Sequence, residues 1–573
     1  MKDGALFMCR DLDLDELGSL TCRRLHKEQS YFAGTSYSDE ITNLYIVDVE
    51  GKSHRLIYYT VGSSLYCWNS YSDVARLLSS TMLDAHVSYA AVKPVLSDYT
   101  YVYITDGVSM LCDNGIESKT WGIDKPDGVP LVEMAGSGGN LGAGDYSWVY
   151  TFYDGETGSE SDPSIASVST TAAANDEATV TQIGISSNDR VNVRRVYRTL
   201  VGGGTYYLVA PINDNVATEF VDNVADASLT AELNMDQGVS ELGDVIVSFK
   251  QRVFLSGDIN FPNRVYYSRT DRPDNFPSTN YLEVGTSDDE VRNIIEFEGK
   301  LYFMQSATIS GLYGSDESTF AYHQTRSHVG LSARWTAAAG PDGIYFLSHD
   351  GVYRFDGLKS MKVSEPIDRS FGVTASDWCE IVDQDTVEDV ARGVFMQGKY
   401  YLVLPMRDGA GTVTRRLLSY DVFDQSWLSY SVEADSLLGD AGDGVLYGGL
   451  PRADGTGYYS VYELMTENRG FSTANPLAVT KSFPIVGKEE GKSRAVGWLR
   501  KFRIDCIGGW VVKFYVDGSL VLSKTVTGQG ESTRYQWYDF PPKTKGRYLT
   551  VMLQVYLASG TPTGNVFKEL EVV

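Results

Sequence analysis

Short apolar and aromatic runs, each closed by a polar turn, follow one another from Leu242 to Phe371: LGDVIVSFKQRVFLSG, NRVYYSRTDRPDNFP, VRNIIEFEGKLYFMQSATISGLYG and WTAAAGPDGIYFLSHDGVYRFDG. The turns carry Gly, Asp, Asn or Pro, and runs such as KLYFM and GIYFLS hold residues that suit a pleated, half-buried surface. Strand, tight turn and strand at roughly 10-residue spacing predict antiparallel meanders. Units of the same kind flank this stretch. They are ITNLYIVDVEGKSHRLIYYTVGSSLYCW from Ile41, YVYITDGVSMLCDNG from Tyr101, and further on GVFMQGKYYLVLPMRDG, RRLLSYDVFDQSWLSY and GVLYGGLPRADGTGYYSVYEL. They begin near Ile41, Val87, Asp244, Val291, Trp335, Gly393 and Ser436, about seven units, within the roughly 4 to 8 blades of β-propellers. The period is irregular, and the signature dipeptides of WD40 and kelch repeats are missing.

Two stretches break the meander pattern. After the Gly-rich GSGGNLGAGD at Gly136 come YSWVYTFYDGETGSESDPS, EATVTQIGI, RVNVRRVYRTLVGGGTYYLVAPI and TEFVDNV, with longer strands and cleaner alternation. These predict a two-sheet sandwich of immunoglobulin or fibronectin type, the latter favoured because no Cys…Trp…Cys core is present. From near Pro476, VGWLRKFRIDCIGGWVVKFYVDGSLVLSKTV and GRYLTVMLQVYL predict a second sandwich, jelly-roll-like, reaching the end of the sequence. The expected fold is therefore all-β: an irregular β-propeller with an inserted fibronectin/Ig-like β-sandwich and a C-terminal β-sandwich. The expected division is 1–135 for an N-terminal segment and the first blades, 136–240 for the insertion, 241–470 for the remaining blades and 471–573 for the last sandwich. The best helix candidate is SDVARLLSSTMLDA, Ser72 to Ala85.

Length and composition narrow the function classes. A chain of 573 residues is too long for one ordinary core. Its 38 Tyr, 22 Phe and 9 Trp favour sheet, where flat side chains pack against cross-strand neighbours. A formal charge of −26 argues against a nucleic-acid-binding surface, which needs clustered cations. The same excess suits a wall along which DNA slides unbound. Six isolated cysteines, Cys9, Cys22, Cys67, Cys112, Cys379 and Cys506, form no C-x-x-C pair and read as reduced thiols. No apolar leader precedes the acidic run near the start, and no apolar stretch is long enough to span a bilayer.

The search for chemistry leaves little. GKS occurs at Gly51 and Gly491, but Ile46 and Val486 stand where a phosphate-binding loop needs Gly. There is no G-x-S-x-G elbow, and the histidines at 26, 54, 86, 323, 328 and 349 show no zinc spacing. In DLDLDEL, Asp11, Asp13 and Asp15 alternate with Leu12 and Leu14. Glu16 and Cys22 stand where a calcium loop requires Gly and Glu, so a solvated strand face is expected. Ser348, His349, Asp350 and Gly351 lack the spacing of a sialidase aspartate box and read as a turn. Glycoside cleavage needs two carboxylates about 5 to 9 Å apart, and among 75 acids no pair stands out. No catalytic, cofactor-binding or metal-binding residue is assigned, no cofactor is expected, and the chain is read as no enzyme. One acidic turn, Asp288, Asp289 and Glu290, is kept as a candidate lining for a channel.

The ordered run KQRVFLSGDINFPNRVYYSRTDRPDNF, EGKLYFMQSATISGLYG, HVGLSARWTAAAGPDGIYFLSHDGVYRFDG and VSEPIDRSF resembles the tail nozzle, or tail hub, proteins of short-tailed bacteriophages. The opening DLDELGSLTCRRL is similar to the start of such proteins, although Leu25 and His26 stand where many have Pro-Gly. The resemblance is best from Leu242 to Tyr430. It implies a structural virion protein assembled in the host cytoplasm: a homo-hexameric ring below the portal. Its implied partners are the head-to-tail adaptor, a tail fibre or tailspike, and viral DNA passing without specific binding. The alternative is a surface carbohydrate-binding or carbohydrate-cleaving adhesin built on a β-propeller, its aromatic residues serving as stacking platforms. A third reading is a monomeric propeller scaffold for host proteins.

Overall fold

In the computed structural model the backbone is described for residues 6–10, 12–14, 20–22 and 27–28 and, from 37 to 572, for all but 49–54, 83–86, 137, 240–241, 373–379, 442–443, 453–456, 466–476, 481–482, 485–496, 508, 518, 528–535, 547 and 556–565; side chains are described from residue 37 on, outside those stretches and outside 466–498, 505, 507, 527–536, 546–548 and 556–573. The GKS tripeptides at Gly51 and Gly491, together with His26, His54 and His86, lie outside the described residues, as do the side chains of Cys9, Cys22 and Cys379.

The period-two runs become strands because each lays one row of side chains between neighbouring sheets. Seven antiparallel four-stranded blades result, six as separate sheets and the sixth in chain order as part of an 11-stranded sheet, with innermost strands Ile41–Asp48, Ser88–Val92, Val245–Phe249, Val291–Phe297, Ala338–Gly340, Arg392–Met396 and Ser436–Asp440. Each innermost strand touches the next, and the seventh touches the first, so the sheets are blades around one axis. The starting points read from the sequence fall at these strands. Interdigitating aromatic and aliphatic residues fill the space between blades: Phe297 and Tyr302 of the fourth against Ile344, Phe346 and Phe355 of the fifth. Fully burying each such side chain contributes roughly 1.5–3 kcal/mol.

The ring closes with borrowed chain. The fourth strand of blade seven is Lys27–Glu28, which pairs antiparallel with Tyr459–Leu464. Ser436 Oγ donates to the Ile41 carbonyl at 2.8 Å across the seam. Gly449 is required there, since a Cβ would come within 2.4 Å of that carbonyl.

The N-terminal segment does not stay with the first blades. Leu6–Arg10 lies between Ser426–Tyr430 of blade six, to which it runs parallel, and Leu477–Thr480 of the C-terminal sandwich. Leu12–Leu14 and Leu20–Cys22 join Val566–Val572 in the sandwich's other sheet. The sandwich core, with Phe502, Trp510, Phe514 and Phe540, is thereby continuous with blades six and seven. In the inserted sandwich the strand Leu131–Ala135 already pairs with Glu177–Thr181, so this unit starts before Gly136. The Gly-rich stretch is not a free linker: the amides of Gly138 and Gly139 donate to the Asn175 carbonyl, and at Gly139 a Cβ would meet the Asp176 carbonyl at 2.0 Å.

The helix expected over Ser72 to Ala85 is a strand, Val74–Ser79, the outermost of blade one. Asp73 takes φ of +52° and accepts a hydrogen bond from the Trp68 indole, turning the chain back onto Ser64–Asn69. Pairing to that edge outweighs the helix propensity of ARLL. Among the described residues the only α-helix is the single turn Val387–Val390.

Candidate functional site

Three places concentrate polar groups. The first is the propeller axis, where a cavity of about 250 Å³ opens among the entry ends of the inner strands. Asn43 and Asn293 reach it because the ladders of blades one and four slip register beside them, as a bulge re-aims a side chain. Their amides are anchored, Asn43 Nδ2 to Thr60 Oγ1 at 2.9 Å and Asn293 Nδ2 to the Arg334 carbonyl at 2.7 Å. The buried Arg392 guanidinium donates to the carbonyls of Asp389 and Ala391, and burial, with Arg415 adding, pulls it down to about 10. No Asp or Glu is among the described residues lining this cavity, so it does not assemble the acid pair of glycoside hydrolysis. In the sequence, the only trace of these residues is an Asn two positions into an otherwise apolar strand.

At the seam, Arg415 of blade six pairs with Asp435, ahead of the seventh inner strand, and with Glu40, ahead of the first, at 2.8 Å. Burial pushes the Asp435 carboxyl up to about 8, Arg415 opposing and Glu40 adding to the rise. The unfolded carboxyl ionises near 3.9, so folding binds a proton between about pH 4 and 8. Stability from this group is full below that window, falls as pH rises through it, and levels above. The slope reaches about 1.4 kcal/mol per pH unit. The difference in urea midpoint between wild type and Asp435→Asn is expected to drift across the window in that sense; a constant difference would contradict it.

The second place is the acidic turn. It leads from the outer strand of blade three into Val291–Phe297, and its three acids differ. Asp289 is consumed structurally, its carboxylate accepting from Ser306 Oγ, the Ala307 amide and Thr308 Oγ1. Glu290 pairs with Arg292 at 2.7 Å, and Asp288 is exposed. None of the three lines the axial cavity.

The third place was not found from sequence. Where the inserted sandwich, the chain returning from it, blade three and the Glu317 turn of blade four meet, a pocket of about 460 Å³ opens. Its rear wall is Glu160, 4% exposed, which accepts from Thr151 Oγ1 at 2.7 Å, the Tyr197 hydroxyl at 2.6 Å and Arg195 at 3.0 Å. Burial pulls Arg195 down, but Glu160, Tyr153 and Tyr197 together more than offset this and its pKa is raised. Arg195 also lies 3.5 Å over the Tyr153 ring.

His323, His328 and His349 are exposed, and Ser348 to Gly351 form the hairpin turn read from the sequence. The Cys67 and Cys112 thiols are buried and pushed up to about 12, chiefly by burial, which keeps them unreactive. Among the described residues no group of three or more His, Cys, Asp or Glu could hold a metal ion, and no helix is long and apolar enough to cross a membrane.

No family model matches the chain, and no curated protein does. Solved structures do. An exo-β-1,3-galactanase from Phanerochaete chrysosporium matches at 9% identity over 57% of this chain and 94% of its own, with a TM-score of 0.22. A glycoside hydrolase family 43 arabinoxylan arabinofuranohydrolase from Bacillus subtilis matches at 9% over 93% and 96%, with a TM-score of 0.17. The protein BBS1N, in complex with ARL6DN, matches at 7% over 78% and 99%, with a TM-score of 0.24. At such identities the likeness concerns the all-β fold. The expectation of a chain that is no enzyme is corrected by this finding, because glycoside hydrolases stand among the structures it matches.

Proposed function

We propose that the chain is a structural virion protein forming the distal tail nozzle, or hub, ring of a short-tailed phage, around the channel through which DNA leaves. The observation that carries this reading is the ordered run of nozzle-like phrases. It supplies, in chain order, strands of blades three to five, among them Arg252–Ser256, Arg264–Tyr267, Lys300–Gln305, Gly343–Ser348 and Gly351–Phe355. Large apolar side chains on the rim of blade one suit subunit contacts: Tyr71, Val74 and Leu77 are 84%, 57% and 51% exposed. The channel of this reading runs between subunits, so the exposed Asp288 can face it, whereas Asp289 is held by its own turn. The mass of the purified chain, alone and mixed with portal and adaptor rings, tests the reading: a six-fold ring forming on the adaptor is expected. A monomer indifferent to those rings would sink it.

A second reading, a carbohydrate-binding or carbohydrate-cleaving adhesin, is favoured by one observation, the polar pocket beside Glu160.

A further inference from the structure

The pocket between the inserted sandwich and blade three has the features of a built ligand site. Its volume, about 460 Å³, lies inside the roughly 300–1,000 Å³ usual for small-molecule sites. Its charges balance: Arg195, Arg269 and Arg272 face Glu160, Glu232 and Glu317. An anionic or a cationic ligand would therefore meet like charges as well as opposite ones. Leu208, half-buried, adds an apolar patch.

Two polar atoms there are left without partners. Gln237 is 3% exposed, yet its side-chain oxygen accepts no hydrogen bond, although its backbone amide is fixed to Asp162 at 2.7 Å. Arg269 donates through Nη2 to the Asp236 carbonyl, but its Nε is buried and has no acceptor. Buried polar groups are ordinarily paired, so an orphan acceptor and an orphan donor on two residues that line one pocket mark a place for a ligand that supplies both functions. A hydroxyl group does both at once.

We infer that this pocket binds a neutral saccharide. The inference rests on the second reading above and gives it a site away from the propeller axis. Ring hydroxyls pair with the Gln237 oxygen, the Arg269 Nε–H and the fixed Glu160–Arg195 pair, while a sugar's C–H face lies on Leu208.

Saturation-transfer NMR on the full chain, with galactose, mannose, N-acetylglucosamine and lactose each at millimolar concentration, tests the site. Transfer to the ring protons of at least one sugar is expected. Gln237→Leu, which removes an oxygen that bonds to nothing in the protein, is expected to weaken its binding by about tenfold or more. Gln237→Met serves the same purpose should the leucine variant fail to fold. A sugar that binds equally well to wild type and variant would overturn the site and leave the second reading standing. No transfer from any of the four sugars would overturn both. Transfer from the zwitterion glycylglycine in place of the sugars would overturn the ligand class.

Discussion

Asp274→Ala is expected to lower the stability of the chain by about 3–5 kcal/mol, the range found when one partner of a buried ion pair is removed. Asp274 sits in the turn that follows the third strand of blade three and is 2% exposed; Arg190, from the inserted sandwich, is 1% exposed. The guanidinium donates to Asp274 through Nη1 at 2.6 Å and Nη2 at 2.9 Å, and to Asp154 through Nε at 3.2 Å. Asp274 further accepts from Ser159 Oγ of the sandwich, from the Gly122 amide at 3.2 Å and from the Tyr103 hydroxyl of blade two at 3.4 Å. One carboxylate therefore bolts the insertion to two blades. Burial alone would push its pKa up, but Arg190, with Ser159 and the Gly122 amide, outweighs burial and holds it below the usual carboxylate range. With the folded pKa depressed, the contribution is present above about pH 4 and is lost only as the pH falls through the folded value. In the alanine variant Arg190 stays buried with Asp154 as its one remaining acid, and a cation cannot be left there cheaply. Urea unfolding at neutral pH measures the loss, and a change below about 1 kcal/mol would refute the account, since that is the size of an exposed pair. The double variant Arg190→Met with Asp274→Leu is expected to recover part of it, because matched apolar replacements spare both desolvation costs.

What was legible in the sequence is what local physics encodes. The hairpin Phe297 to Lys300 shows itself through Glu298 and Gly299, whose φ values of +51° and +71° demand the kind of turn that FEGK advertises. The same holds for the blade starts, since each begins with its own polar punctuation. Pairing partners far apart in sequence carry no such mark. Nothing in LTC at Leu20–Cys22 announces that it will meet Val566–Val572, or that Lys27–Glu28 will finish the last blade. The axis and the junction pocket are hidden for the same reason. Glu160, Gln237, Arg269 and Glu317 come from four separate stretches, and only the folded topology gathers them. The acidic turn shows the converse limit. Three neighbouring carboxylates look equivalent in DDE, yet Asp289 is tied into the turn at Ser306 to Thr308 while Asp288 faces solvent.

Deleting residues 1–36 is expected to be the most disruptive single change short of losing a blade. Their strands are internal to two sheets and final in a third: Leu6–Arg10 has neighbours on both sides, Leu20–Cys22 lies between Leu12–Leu14 and Val566–Val572, and Lys27–Glu28 completes blade seven. Removal severs the only described ladder joining blade six to the C-terminal sandwich and exposes the edge of Tyr459–Leu464 at the seam. At about 1 kcal/mol net for each ladder hydrogen bond, several kcal/mol are lost before any side chain is counted. The freed edges are also templates for association with other copies. Two readouts separate the seam from the sandwich. Amide exchange in Tyr459–Leu464 and in Ile41–Asp48 is expected to accelerate if the propeller loosens, and exchange in Tyr548–Val555 if the sandwich detaches from blade six. A synthetic peptide of residues 1–36 added back is expected to restore protection at both places, because the acceptor edges persist without it. Unchanged exchange and an unchanged thermal midpoint in the truncated chain would show that each unit closes on its own, and that the borrowed strands are ornament to the ring and not its clasp.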